Sequence, residues 1–197
     1  FAVFEGEEHL RAAAARGRGV IALGGHVGNF ELAGAALARL HAFDFVVRPL
    51  ANPAVERWIT RRRALAGVGR IRTGPGMRRA FAALAAGRWV AMLGDQDARR
   101  HGVFVPFLGR PASTPAGPAR LSLASGAPIV FGACTRAPDG RHELRIHPPL
   151  VPEGDARDPE AVRALTARHV ALLEGVVRAR PEAWFWLHRR WKTPPPD

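Results

Sequence analysis

Cysteine is nearly absent from this chain. Its single thiol, Cys134, cannot form an internal disulfide, which excludes a disulfide-stapled fold and fits a cytoplasmic protein. Cys134 closes the apolar run Ile129–Cys134 and reads as a buried structural thiol rather than a nucleophile. Serine is scarce as well: Ser113, Ser122 and Ser125 are the only three, and none sits in a GxSxG elbow. No run of about 18 consecutive apolar residues occurs, so nothing in these 197 residues spans a bilayer. The chain begins at Phe1 rather than Met, so an N-terminal membrane anchor is expected to be missing from it. Lysine is reduced to Lys192, and arginine supplies every other basic residue. The net charge of +12 calls for polyanionic company: nucleic acid, anionic lipid or an acidic carrier protein. Charge alone does not choose among them.

What is present describes a folded chain. An apolar fraction of 47% and a mean hydropathy of −0.08 argue against disorder and against a polytopic membrane protein. The length fits a single domain over residues 1–197, with a core of useful size. Short β-rich runs at Val20–Leu23, Phe43–Val47, Arg70–Arg72, Trp89–Leu93, Ile129–Cys134 and Glu143–His147 read as strands. Helical spacing occupies Glu7–Arg16, the segment after Asn29, Pro53 to about Ala66, Met77–Ala86, a stretch from Pro115 or Ala116 to Ser125, and Asp158–Arg180. Thr73–Gly76 reads as a turn, and Ala98–Thr114 as a loop containing one extended piece, Val103–Phe107. Strands alternate with helices from Val20 to Cys134, which predicts an α/β fold with a largely parallel central sheet flanked by helices. Polar clusters directly follow several strands, at Gly24–His26, Arg48 and Gly94–Asp97, where open α/β sheets form their ligand crevice.

The segment Val20–Leu40 carries the chemistry. A buried strand ends in Gly24–Gly25, delivers His26, and is followed by a helix with Glu31 in its first turn. Residues five apart on one regular helix point about 140° apart, so His26 and Glu31 can meet only if His26 precedes the helix. In that arrangement Glu31 accepts the Nδ1–H of His26, and Nε2 is left to take a proton from an attacking hydroxyl. With no serine nucleophile in view, direct attack by an acceptor hydroxyl is the mechanism this pair suits. The alternative is a turn histidine beside a carboxylate that merely favours the helix N-terminus.

Other side chains are candidates for binding. Asn29 is placed to cap the helix. Asp95-Gln96-Asp97 forms a DxD that reads as a polar lining of the crevice; no nucleotide fingerprint accompanies it, and no metal site is expected. The aromatic–basic tail Trp184–Lys192, including Arg189, suits a membrane interface or single-stranded nucleic acid.

HVGNFE, RPLANP, GDQD, GVFVPFLGRPASTPAGPARLSLASGAPIV and PEAWFWLHRRWKT follow one another from about Val20 to Thr193. In that order they resemble the bacterial lipid A late (secondary) acyltransferases, a family that also contains the phosphatidylinositol mannoside acyltransferases. The resemblance implies a glycerolipid-acyltransferase-like fold and transfer of a fatty acyl chain from an acyl carrier protein or acyl-CoA thioester to a glycolipid hydroxyl. No cofactor is implied. It maps the family's His-x4-Asp/Glu signature onto His26 as general base and Glu31 as its orienting carboxylate. Arg48, and more weakly Arg72, would contact a phosphate. Val103–Gly109 reads first as core packing, and the lining of an acyl channel or a place in the bilayer interface is the alternative the resemblance offers. Arg110 and Thr114 beside it would help to hold the acceptor, and Arg189 would serve the substrate pocket. A lipid A precursor is the expected acceptor and a phosphatidylinositol mannoside the alternative. The expected location is the cytoplasmic face of the bacterial inner membrane, against an anionic surface, with no nucleic acid bound. Thioester hydrolysis and nucleic-acid binding are the competing activities.

Overall fold

The structure is a computed structural model that describes residues 3–74 and 77–196. Its first central strand, β2 (Val20–Gly24), is apolar along its length because both of its faces are covered, as a strand inside a parallel sheet requires. On one side it pairs in parallel with β5 (Trp89–Leu93), on the other with β8 (Ile129–Arg136). Strands β3 (Phe43–Val47) and β4 (Val68–Arg72) extend the parallel sheet beyond β5. At the opposite end β9 (His142–Ile146) runs antiparallel to β8, and β1 (Val3–Glu5) lies parallel to β9. The seven strands are ordered β1-β9-β8-β2-β5-β3-β4.

Helices cover both faces. Leu10 and Ala13 of α1 (Glu7–Ala14) and Leu37 of α2 (Phe30–Leu37) pack with Phe43, Phe45 and Trp89 of the sheet. The third helix, α3 (Pro53–Leu65), is tied to α2 through an Arg63–Glu31 ion pair. On the other face α4 (Met77–Ala85), α5 (Gly117–Ser125) and α6 (Pro159–Ala179) enclose a second core with Ile21, Val90, Ile129 and Phe131. The N-caps follow the sequence: Asn29, Asn52 and Asp158 each accept a backbone N–H of the helix they start. The expected α/β class and mostly parallel sheet are what the chain adopts.

Two strands escape a reading by pattern. β1 is a three-residue edge strand with too few residues to show a period. Residues Ala98–Thr114, expected as a loop around one extended piece, contain a 3-10 turn (Arg99–His101) and a hairpin of β6 (Val103–Phe107) and β7 (Arg110–Thr114). Its two-residue turn is Leu108–Gly109, both at positive φ, and Pro106 faces Pro111 across the ladder. A Leu at a left-handed turn position and prolines in both strands hide the usual hairpin signal. The expected turn Thr73–Gly76 includes Pro75 and Gly76, which lie outside the described residues. Among the described residues, no helix is long and apolar enough to cross a membrane.

Candidate active site

Register brings the key groups together. Gly24 of β2 pairs with Leu93 of β5, and His26 and Asp95 each lie two residues past that last pair of the ladder. The two side chains therefore emerge side by side at the C-terminal edge of the sheet. His26 Nδ1 lies 2.8 Å from Asp95 Oδ1, and the His26 backbone N–H donates to Asp95 Oδ2 at 2.9 Å. The Trp184 indole N–H also donates to Oδ2, at 3.0 Å. Burial alone would raise the Asp95 carboxyl, but the hydrogen bonds and charge of His26 and the Trp184 N–H outweigh it and hold it below the usual aspartate value. An ionised Asp95 fixes the Nδ1–H tautomer of His26, and Nε2 makes no hydrogen bond to protein among the described residues.

The turn is built for this closeness. A Cβ on Gly25 would stand 2.9 Å from Leu173 Cδ1 and 3.3 Å from Asp95, so a side chain there would crowd the carboxylate and push Leu173 aside. Gly28, at φ +56°, lies so near the Cys134 carbonyl that a Cβ would sit 2.0 Å from its oxygen. The C-terminal segment clasps the same turn: Gly28 N–H donates to Ala183 O, and Phe185 N–H to His26 O. The Phe30 ring meets the His26 ring edge-on at 5.3 Å, with the Phe185 ring 6.3 Å away.

The expected His26–Glu31 hydrogen bond is replaced by the one to Asp95. Glu31 is in the first turn of α2, where its carboxylate pairs with both Nε and Nη2 of Arg63. The guanidinium, which also lies over the Phe45 ring, draws Glu31 toward α3. Asn29 caps α2, its Oδ1 accepting from Leu32 N–H.

The DxD divides. Asp95 is buried against His26, whereas Asp97 accepts from Arg99 N–H and from the Thr193 hydroxyl, and its own N–H donates to His188 Nε2 at 2.8 Å. Burial, followed by the charge of Lys192, lowers the His188 pKa, which agrees with a ring nitrogen that accepts. Gln96 is half-buried between them. Among the described residues no group of three His, Cys, Asp or Glu is arranged to hold a metal.

Several expected binding residues have other work. Thr114 is fully buried: its hydroxyl donates to Ala112 O and accepts from Arg190 Nη2, which leaves no face for an acceptor. Arg110 is exposed and stacks over Trp191. Arg189 is exposed, and it is Arg190 that is buried, bonded to Ser113 O and Thr114 and lying over Phe107. Sequence spacing gave no means of telling the two adjacent arginines apart. Arg48 and Arg72 extend from the C-terminal ends of β3 and β4, on the His26 edge, and both are exposed.

The aromatic tail is divided between interior and surface. Trp184 and Trp191 pack with Phe107, while Phe185, Trp186 and Leu187 project outward. Burial raises the Cys134 thiol to about 11, so it is inert.

An apolar pocket runs beneath the His26 turn. It lies between the sheet and the α1–α2 layer, lined by Gly25, Val27, Phe30, Phe43, Phe45, Cys134 and Leu144 among others. Val103–Gly109 takes the core role expected of it rather than the alternative of an acyl-channel lining: Val105 and Phe107 fill the core against α6 on the opposite face of the sheet.

Fold and site together define an α/β protein with a histidine–aspartate pair at the ends of adjacent parallel strands, beside an apolar pocket. The profile of the bacterial lipid A biosynthesis acyltransferases matches residues 2–193, and the chain belongs to that family. It is 32% identical over 200 residues to the lipid A biosynthesis lauroyltransferase of Escherichia coli K12, covering 96% of this chain and 61% of the relative. It is 30% identical over 197 residues to the phosphatidylinositol mannoside acyltransferase of Mycobacterium tuberculosis H37Rv, covering 96% of this chain and 60% of the relative. The Escherichia coli K12 lipid A biosynthesis palmitoleoyltransferase is 30% identical over 200 residues, with 97% and 61% covered. The chain thus spans about 60% of the length of the curated relatives it matches.

Proposed function

We propose that this chain carries the acyl-transfer site of a glycolipid acyltransferase, moving a fatty acyl group from a thioester of acyl carrier protein or coenzyme A to an acceptor hydroxyl. The observation that carries the reading is the Asp95–His26 pair, with Nδ1 held by the carboxylate and Nε2 making no hydrogen bond to protein among the described residues. His26 Nε2 takes the hydroxyl proton as the acceptor oxygen attacks the thioester carbonyl. The tetrahedral intermediate collapses by breaking the carbon–sulfur bond, and the departing thiolate recovers the proton from His26. An ester and a thiol result, and no protein nucleophile takes part. Asp95 acts through His26: it fixes the tautomer and stabilises the imidazolium that forms during attack. Glu31 supports the site from the first turn of α2, held there by Arg63.

The exposed Arg48 and Arg72 on the His26 edge suit phosphate groups of donor or acceptor, and the apolar pocket under the turn, about 50 Å³, would have to widen to take an acyl chain. A lipid A precursor is the acceptor we favour. A phosphatidylinositol mannoside is the second reading, supported by nearly equal identity to relatives named for each lipid. Action at the cytoplasmic face of the inner membrane accords with either lipid.

The test is product analysis by mass spectrometry, with acyl thioester and with or without glycolipid. Wild-type protein is expected to add one acyl chain to the glycolipid, and His26→Ala to add none while its circular dichroism and melting stay unchanged. Free fatty acid as the only product would replace transfer with hydrolysis. Full transfer by folded His26→Ala would end the proposed mechanism.

A further inference from the structure

One helix of the fold buries no residue completely. The side of α3 turned to the protein is largely polar: Glu56 pairs with Arg70 and accepts from Leu50 N–H, and Arg63 pairs with Glu31. Its outward side carries Trp58, 59% exposed, and Leu65, 72% exposed, with Val55 at 45%. Leu50, just before the helix, is 47% exposed. Trp58 and Leu65 are seven residues apart and so lie along one line of the helix surface. Arg57 and Arg61 border that line on one side and Arg62 on the other, the last with its guanidinium 5.5 Å above the Trp58 ring. Among the described residues none of these three arginines has a carboxylate partner, and Glu56, the only acid of the helix, is turned inward.

An apolar line edged by unpaired guanidinium groups matches a surface with negative charge outside and hydrocarbon beneath. A second copy of the chain fits poorly, because two-fold pairing would bring like charges together with no acid to meet them. We propose that the outward face of α3 docks flat on a bilayer containing anionic lipid. Trp58 and Leu65 enter the boundary between headgroups and acyl chains, while Arg57, Arg61 and Arg62 remain at the phosphates. The helix starts just beyond the C-terminal end of β3, the sheet edge that also carries His26, so docking brings that edge to the membrane surface. The value of docking for catalysis rests on the proposed acyl transfer to a membrane glycolipid; the docking itself does not.

Cosedimentation with vesicles, without substrate, tests this. Vesicles of phosphatidylcholine with phosphatidylglycerol are expected to bind the protein, and pure phosphatidylcholine to bind it far less. Trp58→Ser/Leu65→Ser should weaken binding tenfold or more. Replacing Arg57, Arg61 and Arg62 by Gln should weaken it about fivefold for each arginine at low salt. Brominated lipid chains should quench wild-type fluorescence more than that of Trp58→Phe. These exposed substitutions should leave melting unchanged, along with transfer to detergent-dispersed glycolipid. Undiminished vesicle binding by both variants would overturn the proposal, as would a concentration-dependent dimer abolished by Trp58→Ser/Leu65→Ser. Vesicle binding that needs α3, in a protein that transfers no acyl chain, would leave docking standing and remove the proposed activity.

Discussion

Two carboxylates compete for His26, one near in sequence and one far. Glu31 follows it by five residues, at the start of α2; Asp95 is 69 residues away, at the end of β5. The distant one makes the bond. Asp95 is buried, fixed by two N–H donors besides the imidazole, and lies on the neighbouring parallel strand in matching register. Glu31 is more exposed and has a guanidinium of its own. Closeness along the chain thus says less about partnership than the sheet register does, because a strand end has fixed direction whereas a first-turn side chain can swing to another partner.

Substitutions can separate the two regions, and the largest effect belongs to the group both would serve. Loss of the base in His26→Ala is expected to lower kcat by about 10²–10⁴-fold, measured by acyl transfer to purified glycolipid. Asp95→Asn should approach that loss, because an amide oxygen can still accept from Nδ1 but cannot stabilise the imidazolium, and the acidic limb of the kcat–pH profile should move to lower pH. Trp184→Phe keeps the packing against Phe107 and removes one donor to Oδ2. It should cost about 1–3 kcal/mol of stability in chemical denaturation and lower kcat less than Asp95→Asn does. Glu31→Gln leaves the His26–Asp95 bond intact and loosens only the α2–α3 tie, so a loss of roughly tenfold, with an unmoved pH profile, is expected.

A further effect, on stability rather than turnover, lies away from both carboxylates. His169 is buried in α6, its Nε2 without a hydrogen bond, and burial with the nearby Arg190 charge lowers its pKa to about 3. A depressed histidine pKa means that the folded state holds the ring neutral while the unfolded chain protonates it near 6.5. Its contribution is therefore complete above pH 6.5 and is lost as pH falls toward 3, by up to about 1.4 kcal/mol per pH unit. Denaturant titrations of wild type and His169→Gln between pH 7 and 4.5 should show a shallower slope in the variant.

How much of this could be read in the chain depends on the range of the interaction. His26 was legible because a buried run, two glycines and a helix cap stand in direct succession. The strand–helix alternation gave the parallel sheet for the same reason. Asp95 could be named as a crevice residue but not as the partner of His26. Nothing in periodicity says that β5 inserts between β2 and β3, although β3 follows β2 in the chain. Once that order is known, the equal two-residue offsets after Gly24 and Leu93 predict the pair. The path of the tail is hidden from the sequence for a related reason. Trp184 and Arg190 look like surface-binding groups by type, and only the three-dimensional path places one on Asp95 and the other inside the hairpin. By contrast, Trp58 sat in an ordinary helical pattern, and its exposure became visible only when the sheet failed to cover α3.

The most direct test of the central claim compares Asp95→Asn with Glu31→Gln in one assay, as kcat against pH, with folding confirmed by melting. Asp95 as the positioning residue for His26 predicts the greater loss and a displaced acidic limb for Asp95→Asn, with the limb unmoved in Glu31→Gln. A displaced limb and the greater loss in Glu31→Gln, with Asp95→Asn near wild type, would contradict it.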